Sequence, residues 1–249
     1  MITYKQRDQA GTIVMENPPV NAIDDAFVAQ MHAALDKAEA AGPTVLAIRS
    51  KQKVFCAGAD LAMIAGLFDD PEGTPKMEAY TRSLHKLFDR IAAFPAVTLA
   101  VINGAAMGGG LELALSCDMR IVSAAARIGL PEARVGMIPG AGGTQRLTRL
   151  CGPGVSSRLI LGGELIGGQE AARLGVAQWS VQPDELDGFC DETTTRISEL
   201  SRQALVQSKD CIAAFSDPNR DGFAVELEKP AILMPTDEAR DRVLGFFKR

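Results

Sequence analysis

Short apolar or β-branched runs return through the first half of this chain, at Thr12-Ile13-Val14-Met15, Val45-Leu46-Ala47-Ile48, Val97-Thr98-Leu99-Ala100-Val101-Ile102 and Met119-Arg120-Ile121-Val122. Each is bounded by turn-forming residues, the pattern of a buried strand. Between the first two runs, Phe27, Met31, Ala34, Leu35 and Ala38 recur at helical spacing, with an Asp pair at the start and Gly42 after the end. Those flanking residues satisfy free helix termini. Between the second and third, Met77, Tyr80, Leu84, Leu87, Phe88 and Ile91 share one helical face, with Pro95 beyond. Strand, helix, strand, helix predicts an α/β domain. DDPEGTP, residues 69–75, is the strongest loop signal in this half. After about Pro183 helical periodicity dominates, and Pro218, Pro230 and Pro235 divide it into pieces. The expected organisation is a core over residues 1–190 and a helical module over residues 191–249.

A chain of 249 residues should bury roughly three quarters of its unfolded surface. The balance of 26 Lys+Arg against 31 Asp+Glu, with no basic block, points away from nucleic acid and membrane surfaces and toward a small-molecule partner. The five cysteines are scattered and form no CxxC pair, so neither a disulfide framework nor a metal site is indicated. The opening residues lack the features of a secretory or transit peptide, and no apolar run approaches the ~20 residues of a membrane span. The expectation is a cytoplasmic protein.

The richest local chemistry lies in INGAAMGGGLELALSCD, residues 102–118, where Gly108, Gly109 and Gly110 precede a glutamate set between Leu111 and Leu113. A phosphate-cradling loop fails on spacing: the chain has no Gly-Lys dipeptide, and its glycine clusters do not complete GxGxxG. A triad hydrolase is equally hard to build, because the only histidines are His32 and His85, both read as surface residues of helices, and no GxSxG elbow is present. A strand that turns into a helix at three glycines instead offers free backbone N–H groups to a developing oxyanion. The alternative is that the glycines serve tight packing and Glu112 only favours the helix dipole. Glu132 follows Pro131 twenty residues later, just ahead of a second glycine-rich turn at Gly140 to Gly143. Two glutamates in apolar frames suit shared acid and base work at raised pKa values, although pairing of Glu132 with Arg134 or Arg146 is also open. In KVFCAGADLAMI, residues 53–64, Asp60 is placed to cap the next helix, and the loop could direct another N–H at the same site.

Together these stretches closely resemble the crotonase (enoyl-CoA hydratase/isomerase) superfamily, from Asn17-Pro18-Pro19-Val20-Asn21-Ala22 through FCAGADL, INGAAMGGGLELALSCD and LPEARVGMIPGAGGTQRL to LGFFKR. The resemblance implies an α/β, crotonase-like ββα-superhelix (spiral) core holding an acyl-CoA site, and a C-terminal helical module that forms a homotrimer or a hexamer built as a dimer of trimers. It implies an acyl-CoA thioester substrate and no cofactor beyond the coenzyme A that is part of that substrate. The N–H groups of Ala59 and Gly109 would hold the thioester oxygen, with Glu112 acting on water and Glu132 on the α-proton. Ala57, Asp60, Leu61 and Ala62 would line the coenzyme A and thioester channel, with Gly140 on the substrate. Lys53 would contact phosphate, and Lys248 would reach a coenzyme A at a subunit boundary. The implied activity is hydration of a trans-2-enoyl-CoA to a 3-hydroxyacyl-CoA. A delta3-delta2-enoyl-CoA isomerase, which needs chiefly the acid at Glu132, another crotonase-type reaction on the same enolate, and a non-catalytic coenzyme A scaffold are the alternatives. Ala62 and Met63 stand where many relatives carry a basic or polar residue, and residues 66–76 occupy the position of a lid.

Overall fold

The computed structural model describes residues 1–247. In chain order it contains β1 (Ile2–Arg7), β2 (Ala10–Met15), α1 (Asp25–Ala41), β3 (Val45–Ser50), α2 (Leu61–Leu67), α3 (Gly73–Ala92) and β4 (Val97–Ile102). There follow β5 (Ala106–Met107), α4 (Gly109–Leu115), β6 (Met119–Ser123), β7 (Arg127–Gly129), a 3-10 turn (Glu132–Val135), α5 (Gly143–Ile160) and β8 (Ile166–Gly167). The chain continues through α6 (Gly168–Arg173), β9 (Trp179–Val181), α7 (Leu186–Ser198), α8 (Arg202–Phe215), α9 (Gly222–Leu233) and α10 (Asp237–Phe246).

The main sheet runs β1-β2-β3-β4-β6-β9, parallel except for the antiparallel β1–β2 pair. Register pairs such as Ile13 with Ile48 and Ile102 with Val122 keep each strand's alternation in step with its neighbour's. In β3, Leu46 and Ile48 join the larger core and Ala47 joins a second cluster; in β4, Ala100 and Ile102 divide from Leu99 and Val101 in the same way. Successive side chains point to opposite faces, so these strands are buried on both sides, which is why they read as continuous apolar runs. The larger core is closed by α1 and α3 through Phe27, Met31, Leu84 and Phe88, and the second cluster by α7 through Leu186 and Cys190. Residues 190 and 191 fall inside α7. A smaller sheet, β5-β7-β8, stands apart.

The anticipated helix ends are present: Asp24 caps α1 by accepting from the Phe27 N–H, and Gly42 closes it in the left-handed region. Two expectations need correction. The loop signal at 69–75 holds for residues 69–72, which form turns, but its last three residues already belong to α3, which begins at Gly73. Asp70 accepts from the Glu72 N–H and pairs with Lys76, and Pro75 lies in the first turn, where its missing N–H has no partner to lose. Pro230 does not divide the C-terminal region but sits inside α9, on an exposed stretch where water can serve the carbonyl that loses its donor. The edge strand β1 carries no apolar run and forms by pairing with β2.

The C-terminal helices attach at the amino ends of the sheet strands. Lys209 of α8 donates to the carbonyls of Phe94 (3.1 Å) and Ala96 (3.2 Å) and to Asp118 (2.8 Å), and Arg202 donates to the Pro43 carbonyl at 3.0 Å. Among the described residues, α9 and α10 bury none of their own.

Arg120, on β6, is 2 % exposed. Its Nε donates to the Val176 carbonyl (2.7 Å), and its Nη1 to the carbonyls of Cys117 (2.8 Å) and Ala114 (3.2 Å) at the end of α4. Its Nη2 donates to the Gln178 side chain at 3.3 Å. The cation is thus held by neutral acceptors, including the negative end of the α4 dipole. Arg120→Met would strand several buried carbonyls at once, each costing about 1–3 kcal/mol. Urea unfolding should show a loss of about 4 kcal/mol relative to wild type.

Candidate active site

Two backbone turns come together between the sheets. In the first, β3 leads into residues 53–60; Cys56 bridges to Ala106 and Ala59 bridges to Ile23. The Ala59 bridge uses the Ile23 N–H to the Gly58 carbonyl and the Asp60 N–H to the Ile23 carbonyl, which directs the intervening Ala59 N–H away from it. In the second, β5 ends at Met107 and α4 begins at Gly109, whose N–H belongs to the first turn of a helix and has no intrahelical acceptor. Among the described residues neither N–H has a protein acceptor. A Cβ placed on Gly109 would lie 3.4 Å from the Ala59 nitrogen, so the two loops are in contact. Gly110 packs against Cys56, where a Cβ would come within 2.1 Å of the carbonyl oxygen. Two free N–H groups side by side form a socket for an oxyanion.

The glutamates flank this socket. Glu112 is 3 % exposed, and its Oε1 accepts from the N–H groups of Ala141 (2.8 Å) and Gly143 (2.7 Å). Among the described residues no donor reaches its Oε2. Burial and the neighbouring Glu132 push its pKa up to about 7, against the two backbone hydrogen bonds and Arg146, which favour the charged form. Glu132 opens the 3-10 turn; burial raises its pKa too, and its Oε2 is buried with no hydrogen-bond partner. Neither pairing considered for it forms: Arg134 donates to the Gly163 carbonyl, and Arg146 donates to Asp89 and the Ala141 carbonyl. Gly108 has φ +51, and a Cβ there would sit 2.7 Å from Oε1 of Glu132. This glycine is required by both its backbone conformation and the carboxyl beside it.

Of the other anticipated site residues, Ala57, Leu61 and Ala62 are exposed around the first loop, and Lys53 is exposed where it begins. Asp60 caps α2, accepting from Ala62 N (2.8 Å) and Met63 N (3.1 Å). Gly140 lies across the site in the turn before α5, and Lys248 falls outside the described residues. Several supporting residues were not foreseen. Asn21 is fully buried and donates to Ser50 (2.7 Å) and to the Phe55 carbonyl (2.9 Å), fixing the start of the first loop. The Tyr80 hydroxyl donates to the Ile23 carbonyl at 2.7 Å, behind Ala59. His85 is half-buried against Gly140 and not a free surface residue. Only Asn21 left a signal, as a polar residue inside a quoted motif. A cavity of about 540 Å³ opens between α2 and α3, bounded by Ile64, Leu67, Met77, His85 and Met137. Met137 donates its N–H to the Glu132 carbonyl at 3.0 Å, which ties the cavity wall to the site.

The raised value at Glu112 has a measurable consequence for folding. The folded state holds a proton there between the ordinary value of 4.5 and about 7 that the unfolded chain has released. That contribution to stability is complete below the lower value and is lost as pH rises through the upper one, by about 3 kcal/mol. Glu112→Gln keeps an acceptor for both N–H groups without the charge. Urea unfolding from pH 5 to 8 should find the variant more stable than wild type at the alkaline end, with the difference shrinking toward the acid end.

Comparison with known proteins shows the family of the chain. Residues 6–242 match the family model described as enoyl-CoA hydratase/isomerase. A Bacillus subtilis (strain 168) protein named "Probable enoyl-CoA hydratase" is 30% identical over 240 residues, covering 95% of this chain and 92% of its own. The "Short-chain-enoyl-CoA hydratase" of Clostridium acetobutylicum is 34% identical over 199 residues, covering 80% of this chain and 74% of its own. The crystal structure of an enoyl-CoA hydratase from Bacillus anthracis superposes with a TM-score of 0.92 at 28% identity, covering 99% of this chain and 96% of the other. With its α/β architecture and its C-terminal helices, the chain belongs to the enoyl-CoA hydratase/isomerase family and is an enzyme of the crotonase superfamily.

Proposed function

We propose that this enzyme is an enoyl-CoA hydratase, adding water across the 2,3 double bond of a trans-2-enoyl-CoA to give a 3-hydroxyacyl-CoA in fatty acid or related acyl-CoA degradation. The observation that carries this reading is the buried Glu112 and the half-buried Glu132 beside the Ala59 and Gly109 N–H groups. The thioester oxygen would accept from those two donors, which makes the β-carbon electrophilic and stabilises the enolate that forms as water adds. Glu112 is held through Oε1 by two backbone donors, which leaves Oε2 to orient a water and remove its proton. Glu132 has a buried carboxyl oxygen with no donor aimed at it, an environment that favours the protonated form able to deliver a proton to the α-carbon. Return of the proton from Glu112 to Glu132 closes the cycle with one water consumed. The two carboxyls titrate as a coupled pair carrying one proton in the working state.

In this reading the acyl chain enters the cavity between α2 and α3, and coenzyme A runs along Ala57 to Ala62, with Lys53 as a phosphate contact and Lys248 reaching a coenzyme A at a subunit boundary. An isomerase would need chiefly the acid at Glu132; the presence of Glu112 favours hydration. With crotonyl-CoA, loss of the conjugated thioester absorbance should be rapid for wild type and slower by ~10²–10⁴-fold for Glu112→Gln and Glu132→Gln. A wild type that leaves crotonyl-CoA untouched yet shifts the double bond of a 3-enoyl-CoA would transfer the assignment to the isomerase.

The same reading includes assembly as a homotrimer or a dimer of trimers through the C-terminal helices. Phe223 (83 % exposed), Leu227 (82 %) and Phe246 (77 %) leave an apolar surface on α9 and α10 of the kind that marks a protein interface. Sedimentation should give a trimer or hexamer, and Phe223→Asp combined with Leu227→Asp should shift it toward monomer.

A further inference from the structure

The Nε2 of His85, on α3, lies 2.7 Å from the carbonyl oxygen of Gly140. A carbonyl can only accept, so Nε2 carries the proton and donates. The other end of that same peptide unit is the Ala141 N–H, which donates to Oε1 of Glu112 at 2.8 Å. We propose that His85 is a positioning residue for Glu112, acting through the single peptide group between Gly140 and Ala141. A donor on the carbonyl fixes the plane of the amide and polarises it, which strengthens the bond its N–H makes. The next carbonyl of the turn, that of Ala141, accepts from Arg146 Nη1 at 3.0 Å, and Arg146 is held in turn by Asp89 at 2.6 Å. Asp89 lies four residues beyond His85 on α3, so this one helix secures two successive peptide groups of the turn that grips the carboxylate. His85 also borders the cavity between α2 and α3; a chain lodged there would touch the ring that orients the base.

The proposal rests on the reading of Glu112 as the group that activates water, and its test therefore includes a measurement that needs no turnover. The charged groups facing Glu112 are Glu132 from the 3-10 turn and Arg146 from α5. Those sharing the cavity with His85 are Asp70, Glu78 and Arg82. None of them is altered in the variants compared. The side-chain carboxyl carbon of Glu112, assigned against Glu112→Gln in protein labelled with carbon-13, is titrated by NMR in wild type, His85→Leu and His85→Gln. Weakening the Ala141 hydrogen bond removes support from the charged form, so the His85→Leu midpoint should move up by ~0.5 unit, while His85→Gln, which retains an N–H donor, stays near wild type.

With crotonyl-CoA, His85→Leu should lose ~10-fold in kcat with KM within ~2-fold, and His85→Gln should recover most of that loss. An unmoved Glu112 midpoint in His85→Leu overturns the proposal whatever happens to the rate, and so does a His85→Gln enzyme as impaired as His85→Leu. If wild type fails to hydrate crotonyl-CoA, the hydratase reading falls, and the titration still decides the role of His85. Should His85→Leu not fold, His85→Met carries the same comparison.

Discussion

A guanidinium that meets no carboxylate among the described residues lies beneath the site, and much of the architecture is arranged around its needs. Arg120 can be buried only if its donors meet acceptors, and those it finds belong to the end of α4, the turn after α6 and the side chain of Gln178. Satisfying one side chain therefore fixes the position and direction of α4 relative to β6 and β9. The helix is only Gly109 to Leu115, about 10 Å from end to end. Its amino end presents the Gly109 N–H, and the cation at its carbonyl end adds to the positive potential there.

The glycines around the site perform separate tasks that a motif alone does not distinguish. Gly108 turns the backbone into the left-handed region beside Glu132, Gly110 lets α4 lie against the Cys56 carbonyl, and Gly143 leaves room for the Glu112 carboxylate. A side chain at any of them would meet backbone or a glutamate carboxyl. The acid at 112 is likewise defined by its surroundings: it is buried enough to resist ionisation, yet gripped at one oxygen by two N–H groups that favour ionisation. These opposing effects hold it near neutral pH, where a general base is most useful.

The sequence made the α/β core and the pair of glutamates readable because both leave local traces. Strands β3 and β4 are covered on both faces and carry apolar runs at Val45–Ile48 and Leu99–Ile102; α1 and α3 keep their helical period and end signals. What escaped depends on contacts distant along the chain. β1 exists through its pairing with β2, and β7 and β8 are short strands that find each other across the Glu132 turn and α5. The turns at 69–72 are legible from composition, but the start of α3 at Gly73, beside the Asp70–Lys76 pair, is not. Arg120 reads as an interruption in a strand, and its importance depends on carbonyls from both sides of it in sequence. His85 has charged neighbours in the chain, but its partner, Gly140, is 55 residues away.

Helix α3 keeps two sets of obligations on separate faces. Tyr80, Leu84, Leu87, Phe88 and Ile91 are buried in the core, while Thr74, Thr81 and Arg82 border the cavity, and Met77 touches both. Changes along the second stripe leave the first intact, so the shape and polarity of the space beside the glutamates can drift without loss of the fold. His85 is the exception within that stripe, since it answers to the carboxylate as well as to the cavity. Variation in what the enzyme accepts should therefore concentrate around His85, with that position itself the slowest of the stripe to change.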